Sequence, residues 1–214
     1  TRINIREEHY LSRRISVARK TRIQQPDLTY HIVSQCIEWR NMMEEDYFKE
    51  CFLEILRRSK QKYHFQLISY CIMPNHIHLV IRTTKEGAPI SRIMQYIKSR
   101  FAELYNKIVK RTGPFWNGRY KDSIVEFAKN AFHYLLWLLW YLAFNPVRKR
   151  ICSNPLKYQY SSIRAYLEEN ADIGVPVDYH NYFLQLGSNF SDRVKQFLRY
   201  EEIYRKRYSI AEWV

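Results

Sequence analysis

An α+β fold built on an antiparallel sheet follows from three features of this sequence. Strand-like and helix-like segments alternate in the order strand, helix, strand, strand, helix, strand, helix. Two long segments carry apolar stripes at helical spacing, and a Pro74-Asn75 turn signal joins the two central strands. Leu28–Cys36 (LTYHIVSQC) alternates and is rich in β-branched residues, as a strand requires. Glu44–Tyr63 brings Tyr47, Phe48, Cys51, Phe52, Ile55 and Leu56 to one helix face. Its acidic residues come early and its basic ones late, matching the helix dipole. Phe65–Met73 and Ile77–Thr83 read as the next two strands.

Pro89–Val109 is the clearest helix, with Ile90, Ile93, Met94, Ile97, Phe101, Leu104, Tyr105 and Ile108 in one stripe. Thr112-Gly113-Pro114 breaks the chain, and Tyr120–Phe127 supplies a fourth strand. Asn130–Phe144 is a second apolar helix, stopped by Pro146 because the residue before proline is pushed out of helical geometry. A helix is also expected near Asp192–Arg207. The sequence thus divides into a basic N-terminal arm over 1–27, a catalytic domain over 28–150 and a C-terminal extension over 151–214. That extension would bind DNA, bind a partner, or cap the core.

Composition removes several functions. Only 5 glycines are present, and neither GxGxxG nor GxxxxGKS occurs, which leaves no phosphate loop and no nucleotide cofactor of those kinds. The 35 Lys and Arg outnumber the 21 Asp and Glu, and a formal charge of +14 favours a polyanionic partner. These cations are dispersed along the chain, as suits a folded binding surface better than a disordered arm. Cys36, Cys51, Cys71 and Cys152 form no CxxC pair and read as reduced thiols. The longest apolar run, Ala131–Phe144, is short for a membrane span. A cytoplasmic protein without membrane contact is expected.

The chemistry centres on MPNHIHLVI, Met73 to Ile81. Side chains alternate across a strand, so His76 and His78 share one face and can ligate one metal ion. Taken alone, such a pair is more often two surface histidines. Two further segments change the weight of it: GPFWNGRYKDSIVE over Gly113–Glu126 and WYLAFNPVR over Trp140–Arg148. Together with CIMPNHIHLV, and in this order, they resemble the IS200-like transposases, of the tyrosine-dependent HUH type, and most of all their REP-associated tyrosine transposase relatives. The resemblance runs from about Thr29 to Ala165.

It implies a ferredoxin-like domain, with helices on one face of the sheet, that cuts and rejoins single-stranded DNA at a hairpin. Tyr141 would be the nucleophile, with a divalent metal, Mg²⁺ or Mn²⁺, on His76 and His78. Asn145, four residues after Tyr141 on the same helix face, is the candidate third ligand. Tyr134 and Tyr120 are the rival tyrosines. Arg119, Trp116 and Tyr120, a cation beside two rings, are candidate DNA contacts, as are Lys98 and Arg100 on the long helix. The partner is single-stranded or hairpin DNA, and the protein acts as a monomer or homodimer.

The sequence departs from the family in two places. Ser34-Gln35-Cys36-Ile37-Glu38-Trp39 replaces a common arginine-glycine pair, and Trp140 replaces a basic residue; both are expected to alter the choice of DNA. Two alternatives stay open: a non-catalytic nucleic-acid-binding protein of the same fold, and a metal-dependent nuclease that uses water. A helix-turn-helix regulator is disfavoured by the sheet-rich middle of the chain.

Overall fold

The computed structural model describes residues 23–210. The proposed arm falls outside the described residues up to position 22. The elements run β1 (Thr29–Gln35), α1 (Asp46–Tyr63), β2 (Gln66–Ile72), β3 (His76–Arg82), α2 (Ile90–Ile108), β4 (Lys121–Ile124), α3 (Ala131–Ala143), α4 (Asn145–Arg148), α5 (Asn181–Leu184) and α6 (Phe190–Tyr208). The strands form one antiparallel sheet in the order β2-β3-β1-β4. The fourth strand is shorter than the sequence suggested, because Val125–Phe127 turns into a 3-10 helix.

Register decides which side chains share a face. Tyr70 pairs with Leu79, while Cys71 pairs with His78. The Tyr70 hydroxyl is held under α1, near Leu53 and Arg57, so Leu79 faces the α1 side and His78 faces the other. Helices α1 and α2 pack together on the first side, and α3 covers the second. Both faces need cover, since every residue from Leu67 to Met73 and from Ile77 to Ile81 is buried.

The C-terminal extension supplies part of that cover and also closes the free edge of β2. Tyr160 and Leu67 carbonyls accept from Ile72 N–H (2.9 Å) and Asp178 N–H (2.7 Å), and Tyr70 O accepts from Ser162 N–H (3.0 Å). Helix α6, opened by Asn189, whose side chain accepts from Asp192 N–H at 2.9 Å, lies along α3. Trp140 joins the two. It is fully buried, its indole N–H donates to Phe197 O (3.1 Å), and its ring stacks on Phe197 at 4.9 Å. The expected influence of Trp140 on DNA choice therefore has no direct route, as the indole is enclosed between helices. Trp140→Ala should cost about 3–5 kcal/mol, read by urea unfolding, because it opens a large cavity between α3 and α6.

Candidate active site

Position 76 is the first residue of β3 and pairs with Gln35 at the end of β1. The Pro74-Asn75 turn before it is fixed by Cys36 N–H donating to Asn75 O (2.8 Å) and Met43 N–H to Pro74 O (2.8 Å). From this end of the sheet His76 and His78 project together, with rings 4.9 Å apart and edge-on. Both are buried, at 8% and 3% exposure.

Their hydrogen bonds determine which nitrogens are available. Asn75 Nδ2 donates to Trp39 O (3.3 Å), which turns Asn75 Oδ1 toward His76. That oxygen can only accept, so His76 carries its proton on Nδ1 (2.7 Å) and keeps a lone pair on Nε2. His78 Nδ1 meets His31 Nε2 at 3.1 Å, and the two rings stack with an interplanar angle of 13°. His31 comes from β1, on the same sheet face, and is a functional candidate absent from the sequence reading. Alternation placed it on a face but could not say which strand would lie beside it.

Burial, aided by the Lys149 charge, pushes the His76 pKa down to about 4. Burial also holds His78 well below the usual histidine range, with His31 and His76 adding to it. Both rings are therefore neutral at physiological pH, as metal ligation requires. His180, buried against Thr29, is likewise lowered to about 4, first by burial and then by Arg82. An unfolded chain takes up these protons near pH 6.5, whereas the folded chain resists until much lower pH. Stability is thus complete above pH 6.5 and falls as the pH drops toward about 4. The expected slope is about 1.4 kcal/mol per pH unit for each such histidine, measured by urea titration across that range.

Tyr141 sits on α3 against this cluster. Its ring lies edge-on to His78 at 5.7 Å and to His31 at 6.2 Å, and stacks on Trp137 at 5.5 Å. Burial raises its pKa, and the Arg148 guanidinium, 5.8 Å from the ring centroid, works against that rise. Tyr134 stacks on Trp137, about two turns before Tyr141 on α3. Tyr120 is near Tyr30, on the α2 side of the sheet, with Lys98 6.0 Å from its ring centroid. Tyr141 is the rival that meets the histidine pair.

Asn145 is buried but does not continue the helix of Tyr141. The chain breaks at Phe144, and Asn145 opens α4 with Pro146 behind it. Its Nδ2 donates to Tyr141 O (2.9 Å), which leaves Oδ1 for another partner. Among the described residues no group of three His, Cys, Asp or Glu is placed to hold a metal. Neutral imidazole nitrogens, such as those of His76 and His78, are donors that suit a divalent cation.

The DNA candidates separate. Trp116 is buried among Phe52, Phe101 and Phe115, and its indole donates to Lys98 O (2.9 Å), so its ring is not presented to a base. Lys98 Nζ donates to Gly118 O (2.8 Å) and so helps hold that loop. Arg100 pairs with Glu103 on α2, across the sheet from His76. Arg119 is exposed two residues before β4, whose first residue pairs with Val33, the β1 partner of His78.

The model of the IS200-like transposases matches residues 24–133, just over half of the chain. The chain belongs to this family. The match contains His76 and His78 and stops eight residues short of Tyr141. A Haemophilus influenzae protein assigned as a REP-associated tyrosine transposase is 23% identical over 126 residues, covering 55% of this chain and 69% of that one. The solved structure of a REP-associated tyrosine transposase bound to a REP hairpin shares the fold, with a TM-score of 0.57 and 15% identity. It covers 77% of this IS200-like chain and 94% of its own. No helix among the described residues is long and apolar enough to cross a membrane.

Proposed function

We propose that this transposase cuts single-stranded DNA beside a hairpin and rejoins it through a covalent bond to Tyr141. The observation that carries this reading is the packing of the Tyr141 ring on the His78 and His31 pair, at 5.7 and 6.2 Å. The relative solved with a REP hairpin makes folded, repeated DNA the substrate class to try first. The Tyr141 hydroxyl attacks phosphorus, the bond to the 3′-oxygen breaks, and a 5′-phosphotyrosine forms. The phenol loses a proton as the departing 3′-oxygen gains one. A later 3′-hydroxyl reverses the step, so joining needs no ATP.

His76 Nε2, His78 Nε2 and Asn145 Oδ1 are the donors that would hold a divalent cation, Mg²⁺ or Mn²⁺. Such a cation would polarise the scissile phosphate and offset the charge that builds on it. Arg148 supports the phenolate as it develops, against the effect of burial. His31 acts behind the pair: His78 can offer Nε2 only if its Nδ1–H donates to His31 Nε2.

The test is incubation of the full chain, Mn²⁺ and a labelled hairpin from the DNA around its own gene, followed by denaturing electrophoresis. A denaturant-resistant protein–DNA band is expected. In a separate measurement, His31→Ala should weaken Mn²⁺ binding by roughly 10- to 100-fold in calorimetry, with His31→Gln retaining more because its amide can accept.

A further inference from the structure

The segment between β1 and α1 is held in a costly backbone conformation. Glu38 and Trp39 both adopt left-handed backbone, with φ of 54° and 59°. Two consecutive non-glycine residues in that region cost on the order of 1–3 kcal/mol each. The Trp39 side chain gains little burial in return, since it is 58% exposed. One exposed indole would be ordinary on any surface. Here it stands on a strained turn that is fastened on both sides.

Cys36 N–H donates to Asn75 O (2.8 Å), Ile37 N–H to Phe115 O (2.8 Å), and Asn117 N–H to Gln35 O (2.8 Å). Asn75 Nδ2 donates to the Trp39 carbonyl, and through Asn75 that contact reaches His76. The Trp39 backbone is thus tied, two hydrogen bonds away, to a proposed metal ligand. Arg40, which is exposed, follows it in sequence, and the exposed Arg119 lies two residues beyond Asn117, whose N–H donates to Gln35 O. An exposed ring on a backbone-anchored turn, with exposed cations on the same hydrogen-bonded loops, suits a single-strand platform, because every base has a face to stack.

We propose that Trp39 stacks on an unpaired base of the DNA strand next to the phosphate that Tyr141 attacks. The strained turn fixes the register between that base and His76. This rests on the reading of the chain as a single-strand DNA enzyme. It also gives a role to the position where the sequence leaves its family's arginine-glycine pattern.

The experiment uses the full chain without added metal, in EDTA, so binding is scored apart from cleavage. Fluorescence anisotropy compares a hairpin carrying a single-stranded flank with the same hairpin trimmed blunt. Trp39→Ala should weaken binding to the flanked hairpin by roughly 5- to 150-fold and leave the blunt one unchanged, with Trp39→Phe close to wild type. Single abasic positions along the flank should include one that weakens the wild-type protein as Trp39→Ala does and has no further effect on that variant. Equal affinity of wild type and Trp39→Ala for the flanked hairpin would overturn the proposal. So would an equal loss on both hairpins, or a flank in which no abasic position reproduces the loss. Absence of a covalent band with Mn²⁺ would count against the tyrosine chemistry and leave this binding result standing.

Discussion

Tyr141→Phe should abolish strand cleavage, by at least ~10³-fold, while leaving hairpin affinity and unfolding midpoint close to wild type. The change removes one oxygen and keeps the ring. The stack on Trp137 at 5.5 Å and the edge contact with His78 at 5.7 Å therefore survive. Binding measured in EDTA and a urea titration serve as controls for folding. Loss of cleavage with both controls intact assigns the hydroxyl to chemistry. Cleavage that persists in Tyr141→Phe, leaving a free 5′-phosphate, would transfer the reaction to water.

The second large effect is expected at the histidine pair. His76→Ala and His78→Ala should each lower Mn²⁺ affinity by more than the 10- to 100-fold typical of an outer-shell partner, with cleavage falling in parallel. Calorimetry reads the first and a gel the second. A further signature separates ligation from general damage. Both rings are neutral and hard to protonate when folded, so each contributes to the loss of stability below pH 6.5. Each alanine variant should therefore show a shallower acid slope than wild type, whatever its stability at pH 7. Unchanged Mn²⁺ binding in both variants would remove the pair from any metal site.

Much of this was legible in the sequence because it is local. The stripe of Ile90, Ile93, Met94 and Ile97 forms the buried side of α2. His76 and His78 share a face because strands alternate. Tyr141 stood out through its spacing from Asn145-Pro146, although Pro146 splits the helix and starts Asn145 on a new one. What the sequence could not supply was pairing over distance. His31 becomes significant only when β1 lies beside β3 and brings its ring to 3.1 Å from His78. Trp116 looked like a DNA contact from its residue type, yet its indole is buried and donates to Lys98 O inside the fold. Within the C-terminal extension the helix near Asp192–Arg207 was legible, but the segment before it was not, for the same reason. Tyr160, Ser162 and Asp178 close the β2 edge through scattered hydrogen bonds that leave no periodic signal.

The central claim is that Tyr141 becomes covalently joined to the 5′ end of the cut strand. The most direct measurement is mass spectrometry of the protease-digested adduct formed by wild-type protein, Mn²⁺ and a flanked hairpin. A nucleotide-bearing peptide modified at Tyr141 is expected, with a free 3′-hydroxyl on the released fragment. Modification at Tyr134 or Tyr120, or complete cleavage with no adduct and a free 5′-phosphate, would contradict it.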